Sequence, residues 1–170
     1  YEGTKTYVYE IFEQLNGNMV DTLVIPVGNG TLLLGAYYGV RELLDLGLIE
    51  KMPRIIGVQA EGCSPIYKAF KEEVMEVEEV INTGTRAEGI AIAAPKRGKQ
   101  VLEAINATNG DIIIAPEKNI LKVQQNLAKK GLYVEITTAA TFAAFFKYYK
   151  DNKKLGKVVL PLCGAGLKSS

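Results

Sequence analysis

The chain has 170 residues, and its 20 Lys and Arg residues nearly balance 19 Asp and Glu residues, which leaves a formal net charge of +1. This length fits one domain with its own hydrophobic core, and the balanced charge makes nucleic acids and anionic membranes poor partners. The absence of histidine and the distance between Cys63 and Cys163 exclude histidine-based catalysis, a disulfide framework and the usual metal-ligand spacings.

The first predicted element is a helix over "GTKTYVYEIFEQLNG", because Tyr7, Ile11 and Leu15 share one helical face and Asn16-Gly17 is a helix-stop signal. The β-branched run "VDTLVIPV" then predicts a buried strand. After a glycine turn, "TLLLGAYYGVRELLDLG" has apolar residues at helical spacing and predicts the next helix.

The remainder of the chain continues to alternate between strand and helix patterns. The irregular connection from Val74 to Gly98 is predicted to hold one short helix near residues 86–91. Further strands are predicted at "RIIGVQAEG", "DIIIAP", "LYVEI" and "KVVLPLCGAG", and further helices at "IYKAFKEE", "KQVLEAINATNG", "EKNILKVQQNLAKKG" and "TTAATFAAFFKYYKDN".

This alternation predicts a single α/β domain over residues 1–170, with a three-layer arrangement of a parallel sheet and helices on both faces. Ligands of such sheets bind at the carboxyl ends of the strands. The turn "GNGT", Glu135 in "LYVEI", and "CGAG" all follow or end predicted strands. We therefore expect these features to line one crevice.

The glycine turn comprises Gly28, Asn29, Gly30 and Thr31, between a strand and a helix. The first backbone N–H groups of a helix lack intrahelical partners, and the helix dipole favours an anion beside them. Glycine leaves room for a close backbone approach, so a phosphate is the expected ligand. The alternative is a turn without ligand in which Thr31 is the N-cap.

A nicotinamide-dinucleotide site with Glu61 as the ribose acid is a weaker hypothesis. That fingerprint needs a third glycine where Leu33 stands, and Glu61 follows Gly30 by 61 − 30 = 31 residues, whereas about 20 is usual. A P-loop is excluded because no Gly-Lys-Ser/Thr follows the turn.

Several blocks, in this order, resemble the later part of the threonine synthase family, which are pyridoxal-phosphate enzymes of the tryptophan-synthase-β fold type. The resemblance spans nearly the whole chain and implies the large domain of the fold type II pyridoxal-phosphate enzymes. The blocks are "EGTKTYVYEIFEQL", "IPVGNGTLLLGAYYGVREL", "IIGVQAEGCSPIYKAF", "GTRAEGIAI", "GLYVEITTAATFAAF" and "LPLCGAGLKS".

The resemblance implies that residues 28–31 bind the phosphate of pyridoxal 5'-phosphate, although many relatives have the longer turn Gly-Asn-x-Gly-Asn. Cys163 stands where relatives have a Thr or Ser beside the pyridine nitrogen; the alternative is a small buried cysteine at a strand end. Glu135 matches a family Glu-Pro-Ser/Thr block but precedes Ile136. It either positions the cofactor end of the strand or forms an ion pair at the sheet edge.

The Schiff-base lysine of the family lies in an earlier domain, and no segment here matches it, so the resemblance assigns no catalytic residue to this chain. Lys5 and Lys168 are interpreted as surface or supporting cations. Since the groups that bind the substrate phosphate also lie mainly upstream in relatives, we expect a fragment of a larger two-domain enzyme that is inactive alone.

The implied reaction converts O-phosphohomoserine and water to threonine and phosphate, in threonine biosynthesis. The alternatives are a serine/threonine dehydratase of the same fold type and a non-catalytic domain that binds a phosphate ligand. No apolar run approaches the roughly 18 to 20 residues of a membrane span, and no signal peptide is recognisable. The expectation is a cytoplasmic lyase with a small-molecule substrate, and a homodimer of the full-length enzyme is an open alternative.

Overall fold

A computed structural model describes residues 1–169, with side chains as far as Leu167, so the side chain of Lys168 lies outside the described part. Two 3₁₀ turns, Glu88–Ile90 and Gly166–Ser169, accompany the regular elements. These are α1 (Glu2–Gln14), β1 (Thr22–Pro26), α2 (Thr31–Asp45), β2 (Arg54–Ala60), α3 (Pro65–Lys71), α4 (Gly98–Ala107), β3 (Asp111–Ala115), α5 (Glu117–Ala128), α6 (Ile136–Asp151) and β4 (Val158–Val159).

The strands form one parallel sheet in the order β3-β2-β1-β4. In the register of the sheet, Leu23 of β1 lies between Ile55 of β2 and Val159 of β4. The strands β2 and β3 are thus added on one side of β1, and β4 then pairs with the other side of β1. The predicted parallel α/β sheet is confirmed.

Hydrophobic side chains pack on both faces of this sheet, as the three-layer prediction required. Leu23 and Ile25 belong to the core beneath α1, α2, α3 and α4. Val24 and Ile56 belong to a second core beneath α5 and α6. Strand side chains alternate between the two faces, so each strand supplies both cores. Within residues 1–169, no helix combines the length and apolar character that crossing a membrane requires.

The predicted strand "LYVEI" is wrong. Val134 makes only an isolated antiparallel bridge with Ala165, and the chain enters α6 directly at Ile136. Leu132 and Tyr133 are 40% and 51% exposed, so these two apolar residues of the predicted strand do not pack in the core. The following helix begins one residue earlier than predicted and takes Ile136 from the expected strand, while residues 132–135 form neither strand nor helix.

The predicted final strand "KVVLPLCGAG" is much shorter in the structure. Only Val158 and Val159 pair with β1. Pro161 has no N–H to donate to a ladder, and Leu162 beyond it is 52% exposed. From Leu160 onwards the chain therefore leaves the sheet as an extended segment. The short helix predicted near residues 86–91 is present as the 3₁₀ turn Glu88–Ile90.

Helix α1 packs closely along α2. A Cβ atom on Gly35 would lie 2.0 Å from Thr4 Oγ1, and one on Gly39 would lie 2.5 Å from Val8 Cγ2. The two helices approach this closely only because α2 presents glycine at these positions. Val8 is fully buried at the contact.

Lys5 is not the surface cation that the sequence suggested. It is 8% exposed, and its Nζ atom forms ion pairs with Glu2, at 2.9 Å, and with Glu42 of α2. The hydrogen bond from Lys5 to Glu42, followed by that to Glu2, raises the pKa of Lys5. The charged pair therefore joins α1 to α2 at their solvent-facing edge.

Asp21 holds β4 beside β1. Its Oδ2 atom accepts the backbone N–H of Lys157 at 2.9 Å, while its own N–H donates to the carbonyl of Lys157 at 2.9 Å. Lys51 Nζ lies 3.0 Å from Asp21 Oδ1. These interactions, led by the Lys157 N–H, lower the pKa of Asp21. Because β4 has only two paired residues, this clamp fixes its position.

We expect Asp21→Ala to lower the free energy of unfolding by about 1 to 2 kcal/mol, the range of a charge-assisted hydrogen bond that is partly solvated. Urea titration measures the change. The exposed residue Glu103 of α4 supplies a matched control, since Glu103→Ala should change stability by less than about 0.5 kcal/mol.

The same variant tests the pH dependence. Because the folded-state pKa of Asp21 lies below its ordinary value, its stabilisation is present above that ordinary value and is lost as the pH falls through the folded-state pKa. The difference in stability between the natural chain and Asp21→Ala should therefore shrink on acidification. A difference that stays constant down to the acid transition would contradict the clamp.

Candidate functional site

By the rule for parallel α/β sheets, the strand order predicts a ligand-binding crevice at the carboxyl ends of β1 and β4. The chain leaves β1 towards β2 on one side, whereas β4 lies on the other side. Loops that leave neighbouring parallel strands in opposite directions open a crevice, and ligands of α/β sheets bind there. The turn at residues 28–31 follows β1, and the segment 160–166 follows β4. Both glycine-rich turns predicted as ligand sites flank this position.

The turn after β1 presents a row of backbone donors. The Val27 N–H pairs with the Val58 carbonyl at 2.8 Å, and the next paired N–H is that of Leu34, which donates to the Gly30 carbonyl at 2.9 Å. Within the described part of the chain, the N–H groups of residues 28–33 have no hydrogen-bond partner. Donors in sequence at the start of a fifteen-residue helix form an anion-binding site.

The helix begins after Gly30, not at a capping threonine. Gly30 is the N-cap residue with φ of 85°, and no side chain caps α2. The alternative in which Thr31 is the N-cap is therefore wrong, since Thr31 is already the first helical residue. Without a side-chain cap, the first N–H groups stay available for another acceptor.

Packing explains the two glycines of the turn better than ligand approach does. A Cβ atom on Gly30 would lie 2.4 Å from Val101 Cγ2 of α4, and one on Gly28 would lie 3.0 Å from the Gly89 carbonyl oxygen. The sequence argument expected glycine to make room for phosphate oxygens. In the structure, Val101 of α4 and the 3₁₀ turn lie where the Cβ atoms of larger residues would be, so they too require glycine at these two positions.

Two side chains of the turn have different environments. The Oδ1 atom of Asn29 is buried and has no hydrogen-bond partner among the described residues. Such an orphaned polar atom indicates that a further partner belongs beside it. The Oγ1 atom of Thr31 accepts a hydrogen bond from Arg97 Nη1 at 3.0 Å. Sequence analysis did not identify Arg97, because it lies 66 positions after Thr31 and no local pattern connects them.

The opposite side of the crevice brings Glu135 and the second glycine turn together, as expected. The Glu135 N–H donates to the Gly164 carbonyl at 2.9 Å, and Gly166 N–H donates to the Tyr133 carbonyl at 3.0 Å. A Cβ atom on Gly164 would lie 2.8 Å from the carboxyl carbon of Glu135. Among the residues whose side chains are described, none forms an ion pair with Glu135, whose carboxylate packs against Gly164.

Cys163 is exposed, so the alternative of a small buried cysteine at a strand end is wrong. Its sulfur nevertheless lies in part-buried surroundings, 3.9 Å from the Pro161 carbonyl oxygen. Desolvation, and then the nearby charge of Glu135, raises the pKa of the Cys163 thiol to about 11. At neutral pH this wall of the crevice therefore presents a neutral thiol.

Tyr7 is a further residue near this wall. Its hydroxyl oxygen is buried without a hydrogen-bond partner among the described residues. Desolvation, with a smaller effect of Cys163, raises its pKa. The helical periodicity of α1 identified Tyr7 only as a core residue, and that pattern carries no information about its hydroxyl group.

The 3₁₀ turn at Glu88–Ile90 connects the two sides of the crevice. Gly28 packs against Gly89 and Ile90, and a Cβ atom on Gly89 would lie 2.8 Å from Thr137 Oγ1. Thr137 follows Glu135 by two residues in the first turn of α6. The turn after β1 and the start of α6 therefore lie on either side of one short segment.

Glu61 has a structural role that differs from the dinucleotide hypothesis. Its Oε2 atom accepts the backbone N–H of Glu117 at 2.9 Å, at the start of α5. A carboxylate at this position satisfies a free donor and complements the helix dipole. Together with the poor glycine spacing, this contact removes the support for a ribose-binding acid.

Comparison with known proteins identifies the family of this chain. The family model described as "Pyridoxal-phosphate dependent enzyme" matches residues 1–164. The chain is 31% identical over 170 residues to a threonine synthase of Methanocaldococcus jannaschii, an alignment that covers 98% of this chain and 42% of that protein. It is 36% identical over 147 residues to a threonine synthase of Methanosarcina acetivorans, covering 86% of this chain and 36% of that protein.

A solved structure shows the same fold. The processed form of threonine deaminase isoform 2 from Solanum lycopersicum superposes with a TM-score of 0.76 at 22% identity, over 96% of this chain and 45% of that chain. The chain thus spans less than half the length of each of these relatives.

Replacing Gly30 should destabilise the protein more than replacing Gly47, although both glycines have positive φ. Gly30→Ala should lose about 1 to 2 kcal/mol from backbone strain and further stability from the clash with Val101. Gly47 is the matched control, because its φ is 68° and a Cβ atom there meets no atom within 4 Å. Gly47→Ala should therefore show the backbone strain alone.

Urea unfolding of both variants measures this difference. Adding Val101→Ala to Gly30→Ala should recover part of the excess loss, since it removes the clashing methyl group. Equal losses for Gly30→Ala and Gly47→Ala would show that α4 does not constrain the turn.

The raised pKa of Cys163 predicts that its thiol is alkylated only at unusually high pH. In a Cys63→Ala background, the rate of reaction with iodoacetamide should rise with a midpoint near the raised pKa of about 11. Glu135→Gln should lower this midpoint, because it removes a negative charge that disfavours the thiolate. A midpoint at the ordinary cysteine value, or one unmoved by Glu135→Gln, would contradict the described environment.

Proposed function

The chain belongs to the pyridoxal-phosphate-dependent enzymes, and from that membership we propose that it forms the cofactor-phosphate-binding part of a threonine synthase. The proposed reaction converts O-phosphohomoserine and water into threonine and phosphate. The 31% and 36% identities to curated threonine synthases support this assignment within the family. The observation that carries the site is the row of free N–H groups at residues 28–33, at the crevice between β1 and β4.

The residues of the crevice fit a phosphate ester. Consecutive N–H groups and a helix N-terminus suit a dianion. The orphaned Oδ1 atom of Asn29 is an acceptor, so it calls for a hydrogen-bond donor and does not bind the phosphate oxygens. In the proposed site, residues 28–31 bind the cofactor phosphate. Pyridoxal phosphate, when bound, supplies an electron sink that stabilises negative charge on the carbon atoms of the substrate.

The far wall would accept the neutral end of the cofactor. With a pKa of about 11, Cys163 keeps its proton at neutral pH and offers a weak donor that carries no charge. Glu135 positions this wall through its N–H bond to the Gly164 carbonyl. A neutral partner does not promote protonation of a ring nitrogen, which agrees with the role that the resemblance implies for Cys163.

The remaining groups of the site would come from polypeptide outside these 170 residues. Relatives hold the cofactor covalently on a lysine in an earlier segment, and no block here corresponds to that segment. We therefore propose that residues 1–170 are one part of a two-domain enzyme. Proton transfers and recognition of the substrate phosphate would require the other part.

The test uses the full polypeptide encoded by the gene. With O-phosphohomoserine, we expect release of phosphate and formation of threonine in equal amounts. Enzymatic assays of phosphate and chromatography of amino acids measure both products. The same protein stripped of its cofactor is the control and should form neither.

Two other outcomes would contradict the proposal in different ways. Release of ammonia and a 2-oxo acid from threonine or serine, without turnover of O-phosphohomoserine, would identify a dehydratase of the same fold. Saturable binding of pyridoxal phosphate without turnover of any of these amino acids would identify a ligand-binding domain.

A further inference from the structure

Arg97 lies beside the phosphate turn although it is far away in sequence. It directly precedes α4, the helix whose Val101 packs against Gly30. Its Nη1 atom donates to Thr31 Oγ1 at 3.0 Å. Helix α4 therefore contacts the turn twice, once through an apolar side chain and once through a cation.

The hydrogen bond has a fixed direction. A guanidinium group only donates hydrogen bonds, so Thr31 Oγ1 is the acceptor, and the hydroxyl proton is free to be donated elsewhere. Oγ1 is three bonds from the N–H of its own residue, which belongs to the row of free donors at residues 28–33. An oxygen atom bound by the Thr31 N–H is therefore within reach of the hydroxyl proton.

The charge of Arg97 is not neutralised by a carboxylate. Among the residues whose side chains are described, no Asp or Glu forms an ion pair with it. Its guanidinium group lies 5.2 Å from the ring centre of Tyr1, whose hydroxyl group donates to Gln100 Oε1 at 3.0 Å. An aromatic face holds the cation in place and leaves its charge available to an anion.

We propose that Arg97 is a positioning residue of the phosphate turn. It orients the Thr31 hydroxyl group as an additional donor to a phosphate ester, and its charge strengthens the binding of the dianion. This pair compensates for the short turn, in which Thr31 and Leu32 follow Gly30 directly. The inference rests on the proposed function, because it assumes that residues 28–31 bind the cofactor phosphate.

The test compares the affinities of the full polypeptide for pyridoxal 5'-phosphate and for pyridoxal. Both carry the same ring and aldehyde. The dissociation constant of pyridoxal divided by that of pyridoxal 5'-phosphate, called the ratio below, therefore isolates the contribution of the phosphate. Absorbance titration of the apoprotein measures both. We expect Arg97→Met and Thr31→Val each to lower the ratio by about 10-fold or more, as for a lost charge-assisted hydrogen bond.

Conservative variants separate this role from a structural one. Thr31→Ser retains the hydroxyl group and should keep the ratio within about 3-fold, and Arg97→Lys retains the charge and should recover part of the loss. The double variant should lose less than the product of the single losses, since Arg97 acts through Thr31. Arg41→Met is the control for net charge, because Arg41 lies on α2 about 15 Å from its start and should leave the ratio unchanged.

Two different binding results distinguish failure of the Arg97 inference from failure of the proposed function. If the natural protein itself binds pyridoxal as well as pyridoxal 5'-phosphate, the turn does not bind the phosphate and both proposals fall. If the natural protein prefers the phosphate ester strongly and neither Arg97→Met nor Thr31→Val reduces that preference, only the role of Arg97 is overturned.

Discussion

The position of β1 between β2 and β4 is the constraint on which the other features of the site depend. Because β4 returns to the opposite side of β1, the loops after these two strands separate and leave a crevice at the carboxyl edge. The backbone donors of residues 28–33 start on one side of it, and Cys163 with Glu135 lies on the other. The two sides differ in chemistry. The first offers backbone N–H donors that suit a dianion, and the second presents the neutral thiol of Cys163.

Sequence patterns predicted the secondary structure around the glycine turn better than the packing around it. Strand, glycine turn and helix follow from composition and periodicity around residues 25–35, and the structure confirms that local order. Strand order does not follow, because no local pattern records which strands become neighbours. For the same reason the contact between Arg97 and Thr31 was not predictable, since it depends on how α4 packs against the start of α2.

The errors near the end of the chain have a common cause. Residues 132–136 have a β-rich composition, but the helical pattern after them extends back to Ile136. Residues 160–166 follow a genuine strand, but Pro161 cannot continue the ladder. In both cases the neighbouring residues overrode a reasonable local propensity. The predicted approach of Glu135 to the second glycine turn holds nevertheless, through one backbone hydrogen bond and an isolated bridge.

The close packing of α1 on α2 at Gly35 and Gly39 links the position of α1 to the conformation of the glycine turn. Any side chain at these glycines would push α1 outwards, because Thr4 and Val8 already occupy the space. Thr4 Oγ1 donates to the Tyr1 carbonyl at 2.8 Å and also lies 3.3 Å from the Thr31 carbonyl oxygen, and the ring of Tyr1 covers Arg97. A side chain at Gly35, about one helical turn from Thr31, or at Gly39, about two turns away, would therefore disturb the contacts between α1 and the glycine turn. The start of α1 thus belongs to the structural support of the glycine turn, although it lies outside the sheet.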